Sequence, residues 1–295
     1  MMSKPGKMKS WIEAMRLRTL PVSVAGVIMA VGYACVYGFF NALPAALCMV
    51  FAILAQVASN FANEYYDYRD GLDRPGREGP RRGVTEGDIT PRAMLTATYV
   101  TLGVACAVGC SLIFYSGWWL VPVGIFIALG VTAYSAGPYP LSRHGLGEVA
   151  VILFFGVIPV NFTYYLQCGQ WDIQVFYGSL SAGLMGANVL IVNNYRDADA
   201  DAAVGKRTLA VILGRRSVAW LYVANGVMAV MLMWKVWHEL PAYAQIVPEL
   251  YLTMHILASI KLFRTRGWAL TPLLGMTATL MLAYSLAFMI IAACQ

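Results

Sequence analysis

The sequence predicts an all-α membrane protein, and two observations carry that prediction: the composition and the length of the apolar runs. Of the 295 residues, 59% are hydrophobic and only 12% are charged, whereas about a quarter of the residues in soluble domains are charged. A backbone in lipid must satisfy its hydrogen bonds within helices or a closed barrel. The apolar runs are long and do not alternate with polar residues, which favours helices over barrel strands.

Nine apolar segments have about the 20 residues that a helix needs to cross a bilayer. The eighth contains Pro248, Glu249 and His255, and it is retained because of the charges that flank it. The nine predicted spans are residues 20–40, 44–62, 93–115, 118–136, 146–167, 173–195, 217–234, 242–260 and 268–293.

The positions of Lys and Arg test this count and orient the chain. If the N-terminus is cytoplasmic, nine spans place 20 of the 21 Lys and Arg residues on the cytoplasmic side, and only Lys235 falls outside. This is the bias that the positive-inside rule describes. Omitting the eighth span would send Lys261, Arg264 and Arg266 outside. The net charge of +6 therefore reflects topology, so we expect a multi-pass protein of the cytoplasmic (inner) membrane and no nucleic-acid partner.

Two similar polar stretches end apolar spans on the cytoplasmic side. The first acidic motif is NEYYDYRDGLD at 63–73, and the second acidic motif is NNYRDADAD at 193–201. Three residue types recur at an offset of 130: Asn63 with Asn193, Tyr65 with Tyr195, and Asp67 with Asp197. The match predicts one membrane domain over 1–295, built from two repeated halves at 11–136 and 137–262, with an extra helix at 268–293.

The spacing within each motif predicts a shared site. Asn63 and Asp67 are four residues apart, as are Asn193, Asp197 and Asp201, so on a helix each set lies on one face. Clustered carboxylates repel each other unless a cation lies between them. Mg²⁺ takes oxygen ligands, commonly one or two carboxylates with phosphate oxygens of a substrate. Two facing clusters would hold a diphosphate between two or more Mg²⁺ ions. The alternative is a pair of polar helix ends whose acids are balanced by nearby arginines.

Basic residues follow both motifs. The segment 73–92 is rich in Pro and Gly, as expected of a loop that covers a site, and Lys206 and Arg207 follow the second motif. Guanidinium and ammonium groups both neutralise diphosphate oxygens. The arginines of the segment 73–92 that we expect near the site are Arg74, Arg77, Arg81 and Arg82.

These residues resemble those of the UbiA superfamily of membrane prenyltransferases, and the resemblance covers nearly the whole chain. The first motif is similar to the family's NDxxD-type motif and the second to its DxxxD motif. Four further stretches resemble the branch that prenylates 1,4-dihydroxy-2-naphthoate in menaquinone synthesis. They are WIEAMRLRTLP at 11–21, DRPGREGPRRGV at 73–84, GPYPLSRHGLGE at 137–148, and NNYRDADADAAVGKRTLAVILG at 193–214.

The resemblance implies nine transmembrane helices around a central cavity with cytoplasmic cap loops, and it assigns roles to residues. Glu64 stands where the family usually has Asp, and it remains a candidate ligand. The implied metal ligands are Asn63, Glu64, Asp67, Asp73, Asp197 and Asp201. The candidate substrate and diphosphate contacts are Arg16, Arg74, Arg77, Arg81, Tyr139, Arg143, Asn193 and Lys206. The catalytic candidates are Asn63, Asp67, Asp197, Asp201 and Glu148.

The implied reaction is transfer of a polyprenyl group from polyprenyl diphosphate to 1,4-dihydroxy-2-naphthoate, with loss of CO₂ and diphosphate, giving demethylmenaquinol and then demethylmenaquinone. A group that assists removal of a phenol proton is needed, and Asp70, Asp199 and Glu148 are the spare acids near the motifs. Glu148 is equally suited to cap the fifth span, because acids favour the first turn of a helix.

Three other functions fit part of the pattern. A related prenyltransferase would use another aromatic acceptor such as 4-hydroxybenzoate. A lipid-diphosphate phosphatase would need the same metal clamp but no acceptor. An ion-coupled transporter would place its acids near the bilayer midplane on broken helices, whereas here they lie at the cytoplasmic ends of the spans.

Overall fold

The computed structural model describes residues 6–73 and 81–295, and the regular structure in these ranges is helical. A π-helical segment covers Ile152–Val157. The helices are α1 Lys7–Met15, α2 Leu20–Val36, α3 Ala42–Arg69, α4 Pro91–Ser111, α5 Ile113–Ser116, α6 Leu120–Ala133, α7 Gly147–Val151, α8 Ile158–Cys168, α9 Ile173–Ala203, α10 Leu209–Leu213, α11 Arg215–Leu232, α12 Trp234–Glu239, α13 Ile246–Arg264 and α14 Thr271–Ala293. The all-α prediction is confirmed.

The predicted count of nine spans is not confirmed as such. In the described part of the chain, seven segments are long and apolar enough to cross a membrane: Lys7–Val36, Ala42–Arg69, Pro91–Ser116, Gly147–Cys168, Ile173–Ala203, Ala242–Arg264 and Gly267–Ala293. The predicted span 118–136 corresponds to α6, whose 14 residues rise about 21 Å against a hydrocarbon core of about 30 Å. The predicted span 217–234 corresponds to α11, which begins with two arginines and carries Asn225.

Helices α3 and α9 are the two longest helices described, and both extend beyond the spans predicted for them. They contain 28 and 31 residues, which is about 42 and 46 Å at 1.5 Å per residue. Asn41 and Asp172 cap their N-termini by accepting backbone N–H groups. Because each helix is longer than the hydrocarbon core, its last turns carry an acidic motif past the apolar region while remaining helical.

The π-helical segment packs tightly against two neighbouring helices. A Cβ on Gly26 of α2 would lie 2.6 Å from the carbonyl oxygen of Phe155, and one on Gly156 would lie 2.4 Å from the carbonyl oxygen of Ser179 on α9. Small residues of this kind let membrane helices approach closely. The segment that follows Glu148 is therefore fixed between α2 and α9.

A backbone break at Arg16 separates α1 from the first apolar helix. Arg16 has φ 50° and ψ 55°, the left-handed conformation, which costs a non-glycine residue about 1–2 kcal/mol. Two side chains of α3 hold the break. Asn60 Nδ2 donates to the carbonyl oxygen of Met15 at 2.8 Å and to Thr19 Oγ1 at 3.1 Å, and Gln56 Nε2 also donates to Thr19 Oγ1 at 3.1 Å. The bundle thus fixes the backbone on both sides of Arg16.

Candidate active site

A polar cavity of about 360 Å³ lies between the Arg16 break, the ends of α3 and α9, and the segments that follow α6 and α9. It gathers side chains from both acidic motifs, which are 130 residues apart in sequence. The predicted site residues in its wall are Arg16, Asn63, Asp67, Arg81, Glu148, Asn193, Asp197, Asp201 and Lys206. Side chains of both acidic motifs therefore line one cavity.

In the first acidic motif, Asp67 lies in the wall and is paired with a distant arginine. Arg143 Nη2 is 3.4 Å from Asp67 Oδ1, and its Nη1 donates to Asp70 Oδ2 at 2.6 Å. Arg143 also donates to the carbonyl oxygen of Ser135 at 3.1 Å, and Asn63 Nδ2 donates to the Ser135 hydroxyl at 3.1 Å. The segment after α6 is therefore docked onto the end of α3.

Two predicted metal ligands of the first motif lie outside the cavity wall. Glu64 is only 1% exposed, and its Oε1 accepts the backbone N–H of Val84 at 3.1 Å. Asp73 is buried and lies 3.2 Å from Arg82 Nε. Both acids thus contact the segment that begins at residue 81, and Arg82 of that segment itself lines the cavity. Glu64 thus has a structural contact through Oε1, and its predicted role as a ligand stays a prediction.

The second acidic motif is paired with residues close to it in sequence. Arg196 Nε donates to Asp197 Oδ1 at 2.7 Å, and its Nη2 donates to Asn193 Oδ1 at 2.8 Å. Lys206 Nζ lies 3.9 Å from Asp201 Oδ1. The balancing of acids by basic side chains, considered above as the alternative to metal binding, is present in both motifs.

Arg16 carries the clearest sign of an anion site. Its Nε and Nη2 atoms are buried and make no hydrogen bond to any described residue, although it lines the polar cavity. Buried donors are almost always satisfied, and a guanidinium is suited to bidentate contact with phosphate. Arg16 is therefore a candidate contact for an anionic ligand.

The remaining predicted contacts have different outcomes. Arg81 lines the cavity and pairs with Asp88 at 2.6 Å. Tyr139 is 56% exposed and stacks on His144 with ring centroids 3.7 Å apart, away from the cavity wall. Arg74 and Arg77 lie outside the described residues.

Sequence reasoning missed several residues of the wall, among them Gln56, Asn60, Asn194 and Arg196. Gln56 and Asn60 lie four residues apart within the predicted apolar span 44–62. Polar residues inside a membrane segment are often functional, so this pair offered a signal. Asn194 and Arg196 lie within the second motif, where attention to the acids alone passed over them.

An apolar cavity of about 200 Å³ continues from the polar one, and the two share Gln56, Ser59, Tyr134 and Phe155 in their walls. It extends between α2, α3, α4, α6 and α8. Along α3 it runs from Ser59 to Cys48, which is about 16 Å at 1.5 Å per residue. At the end remote from the acidic motifs, four buried side chains pack together, and we call them the plug: Val27, Cys48, Leu112 and Leu166.

The donor atoms at the polar cavity fit one class of metal ion. The motif side chains in the wall offer carboxylate and amide oxygens, the ligands of Mg²⁺. Among residues 6–73 and 81–295, no three His, Cys, Asp or Glu side chains come together as a metal site. The donors therefore suit an ion that binds one or two carboxylates and completes its coordination shell with phosphate oxygens and water. In the described part of the chain, they do not form a site in which protein side chains supply every ligand.

Helices long enough to cross a bilayer are typical of a multi-pass membrane protein, and this one has a charged cavity adjoining an apolar cavity. The model of the UbiA prenyltransferase family matches residues 23–271. The chain belongs to this family, which confirms the resemblance seen in the motifs.

Two bacterial relatives share one name with each other. The chain is 36% identical to the 1,4-dihydroxy-2-naphthoate octaprenyltransferase of Haemophilus influenzae, covering 70% of each chain. It is 37% identical to the protein of that name from Mycobacterium leprae, covering 76% of this chain and 77% of the relative. Among solved structures, a UbiA homolog from Archaeoglobus fulgidus bound to GPP and Mg²⁺ has a TM-score of 0.69 at 15% identity, covering 96% of this chain and 100% of the homolog. At 15% identity, this similarity shows that the two proteins share a fold and nothing more.

Proposed function

We propose that the protein transfers a polyprenyl group from polyprenyl diphosphate to 1,4-dihydroxy-2-naphthoate, releasing CO₂ and diphosphate and giving demethylmenaquinol. One observation carries the proposal: both acidic motifs and the unsatisfied Arg16 line one polar cavity that opens into an apolar one. A polyprenyl diphosphate has an anionic head and an apolar tail, which matches the two cavities. The acceptor is taken from the names of relatives at 35–37% identity.

The basic side chains of the wall would bind the diphosphate head. Arg16 offers two unmet donors, and Arg81 and Lys206 add positive charge at the rim. Asn193 adds an amide group beside them. We also propose that four further residues contact the bound diphosphate: Arg74, Arg77, Tyr139 and Arg143. The first two lie outside the described residues, and the other two are not part of the cavity wall.

We propose that Mg²⁺ is required and that two or more ions bind. Asn63, Asp67, Asp197 and Asp201 would hold them, with Asp73 and Glu64 beside the first motif. Bound Mg²⁺ would neutralise the charge that develops on the departing diphosphate. Arg143, Arg196 and Lys206 balance three of these acids, so we expect these ion pairs to lengthen when the ligand binds.

The reaction replaces one carbon substituent by another. The C1–O bond of the prenyl diphosphate breaks, and its electron pair leaves with diphosphate. The ring carbon that bears the carboxylate bonds to C1, and CO₂ then leaves while the electrons of its bond return to the ring. The allylic cation must be kept from water. The apolar walls that begin at Tyr134 and Phe155 would exclude water from it.

The charge bias of the chain supports an orientation. We propose that the protein lies in the cytoplasmic membrane with its N-terminus and the polar cavity facing the cytoplasm. A charged aromatic acid would then enter from the aqueous side, while the donor's tail stays in the bilayer. Acids at helix ends, together with family membership, disfavour the transporter alternative.

The test is a product assay. Purified protein in liposomes is incubated with Mg²⁺, a polyprenyl diphosphate and 1,4-dihydroxy-2-naphthoate, with 4-hydroxybenzoate in a parallel reaction, and products are identified by mass. We expect a prenylated naphthoquinol or quinone that lacks the carboxylate and is not formed with EDTA. Prenylated 4-hydroxybenzoate alone would overturn the acceptor, and prenyl alcohol alone would favour a phosphatase.

A further inference from the structure

Three acids near the motifs were candidates for handling the acceptor's proton, and the structure separates them. Asp199 is 88% exposed at its side chain and pairs with Arg215 at 2.8 Å, outside the cavity wall. Asp70 is exposed and binds both Arg69 and Arg143. Glu148 is 5% exposed and lines the polar cavity. It alone of the three lies in the cavity wall.

The surroundings of Glu148 differ from those of the motif acids. Its Oε1 accepts from Asn194 Nδ2 at 2.9 Å, while its buried Oε2 makes no hydrogen bond to any residue in the described ranges. Asp67, Asp197 and Asp201 each have a cationic partner, whereas no ion pair of Glu148 occurs among these residues. A buried carboxylate held by one amide, without a cation, is free to accept a proton at its second oxygen.

Glu148 also lies near the place where head and tail of an amphiphile would meet. The short helix α7 contributes Glu148 and Val151 to the polar cavity and Ala150 to the apolar one. A Cβ on the preceding Gly147 would lie 3.7 Å from the hydroxyl of Tyr134, and Tyr134 lines both cavities. The first carbon of a prenyl diphosphate would lie at this junction, next to the acceptor ring.

We infer that Glu148 takes the proton of the acceptor hydroxyl adjacent to the attacked carbon and later returns it, and that Asn194 acts as its positioning residue. The inference rests on the proposed function. Glu148 thereby becomes a catalytic residue distinct from the groups that bind diphosphate and metal.

The proton transfer balances with decarboxylation. As the carboxylate of Glu148 takes the hydroxyl proton, the O–H electron pair moves into the ring and the ring carbon bonds to C1 of the prenyl group. The product of this step is a β-keto acid, because the new carbonyl is adjacent to the carbon that bears prenyl and carboxylate. When CO₂ leaves, its bonding electrons pass to the carbonyl oxygen, which takes the proton back from Glu148.

The test compares two acceptors on three variants. The acceptors are 1,4-dihydroxy-2-naphthoate and an analogue with an electron-withdrawing ring substituent whose hydroxyl is already ionised at the assay pH. We expect Glu148→Gln to lower kcat on the first acceptor by about 10²–10⁴-fold, with little change in KM for the polyprenyl diphosphate. The loss should be at least ten-fold smaller on the ionised analogue, which needs no base. Glu148→Asp should retain intermediate activity, and Glu86→Gln, an exposed acid on the segment before α4, should match the wild type.

Each other outcome has a defined meaning. An equal loss of kcat on both acceptors, or a loss of donor affinity together with activity, would assign Glu148 a structural role and overturn the inference. A wild-type protein that prenylates 1,4-dihydroxy-2-naphthoate while Glu148→Gln matches it would overturn the inference and leave the proposed function intact. No product from the wild type with either acceptor would overturn the proposed function first.

Discussion

The two acidic motifs have similar sequences, but their charges are balanced in different ways. In the second motif, Asp197 pairs with the adjacent Arg196 and Asp201 with Lys206, five residues later. In the first motif, Asp67 pairs with Arg143, 76 residues away. Among the described residues, the ion pairs of the second motif lie within one helix and the turn that follows it, whereas the pair of Asp67 depends on tertiary docking.

The difference predicts which mutations would disturb each cluster. The segment that carries Arg143 also contacts the residues that follow the second motif. The backbone N–H of Arg207 donates to the carbonyl oxygen of Arg143 at 3.0 Å. One short segment therefore links the end of α3 to the residues after α9. A change there should disturb the first cluster more than the second.

The largest expected effect would come from removing either cluster's central acid. We expect Asp67→Ala and Asp197→Ala each to lower prenyl transfer by at least about 100-fold, because each removes a group that stabilises charge on the leaving diphosphate. The measurement is turnover in liposomes at saturating Mg²⁺, with membrane insertion checked by size-exclusion profile. If either variant kept near-full turnover, the two-cluster site would be wrong, and the motifs would not be equivalent.

A smaller effect should distinguish the tertiary ion pair of the first motif from the local ion pair of the second. We expect Arg143→Gln to lower the thermal unfolding midpoint, because it breaks the Asp67 and Asp70 contacts together, and to speed protease cleavage within residues 137–146. Lys206→Gln is the matched change in the other cluster. It should leave both properties near wild type, since its ion pair at 3.9 Å is long and local pairs contribute about 0–1 kcal/mol. Equal effects of the two changes would contradict the contrast drawn between the motifs.

The smallest effect concerns pH. The hydrogen bond from Arg69, and then that from Arg143, holds the pKa of Asp70 below its ordinary value, although partial burial acts in the opposite direction. A lowered folded-state pKa stabilises the fold above the unfolded value of about 3.9, and this contribution is lost as pH falls through the folded value.

We therefore expect Asp70→Asn to lower the unfolding midpoint by at most about 2 °C near pH 7, since Asp70 is partly exposed. The difference from wild type should disappear as the pH is lowered below about 4. Thermal unfolding in detergent across this pH range measures it. A difference that grew in acid would mean that the Asp70 carboxylate does not favour the folded state.

Much of the architecture followed from pattern alone. Apolar length predicted the helices, and the four-residue spacing predicted that Asn63 and Asp67, like Asn193 and Asp197, share a face. The Arg16 break was not predicted, because its left-handed backbone depends on Gln56 and Asn60 of α3, 40 or more residues away. The same limit applies to Glu64: the motif did not predict its hydrogen bond with the backbone N–H of Val84, and its role as a ligand stays a prediction.

The repeat of two halves stays a prediction. The two long helices α3 and α9 end in the two motifs, as a repeat would require. However, their partners differ, so any symmetry of the sequence does not extend to the ion pairs.

The plug at the end of the apolar cavity has a consequence for the membrane itself. A water-accessible cavity that reached the opposite face would let ions pass and would discharge the voltage across the bilayer. Val27, Cys48, Leu112 and Leu166 carry no charge and are buried against each other, and an ion entering such a low-dielectric region loses solvation worth several kcal/mol or more. These four uncharged side chains would thereby oppose the passage of an ion through this end of the cavity.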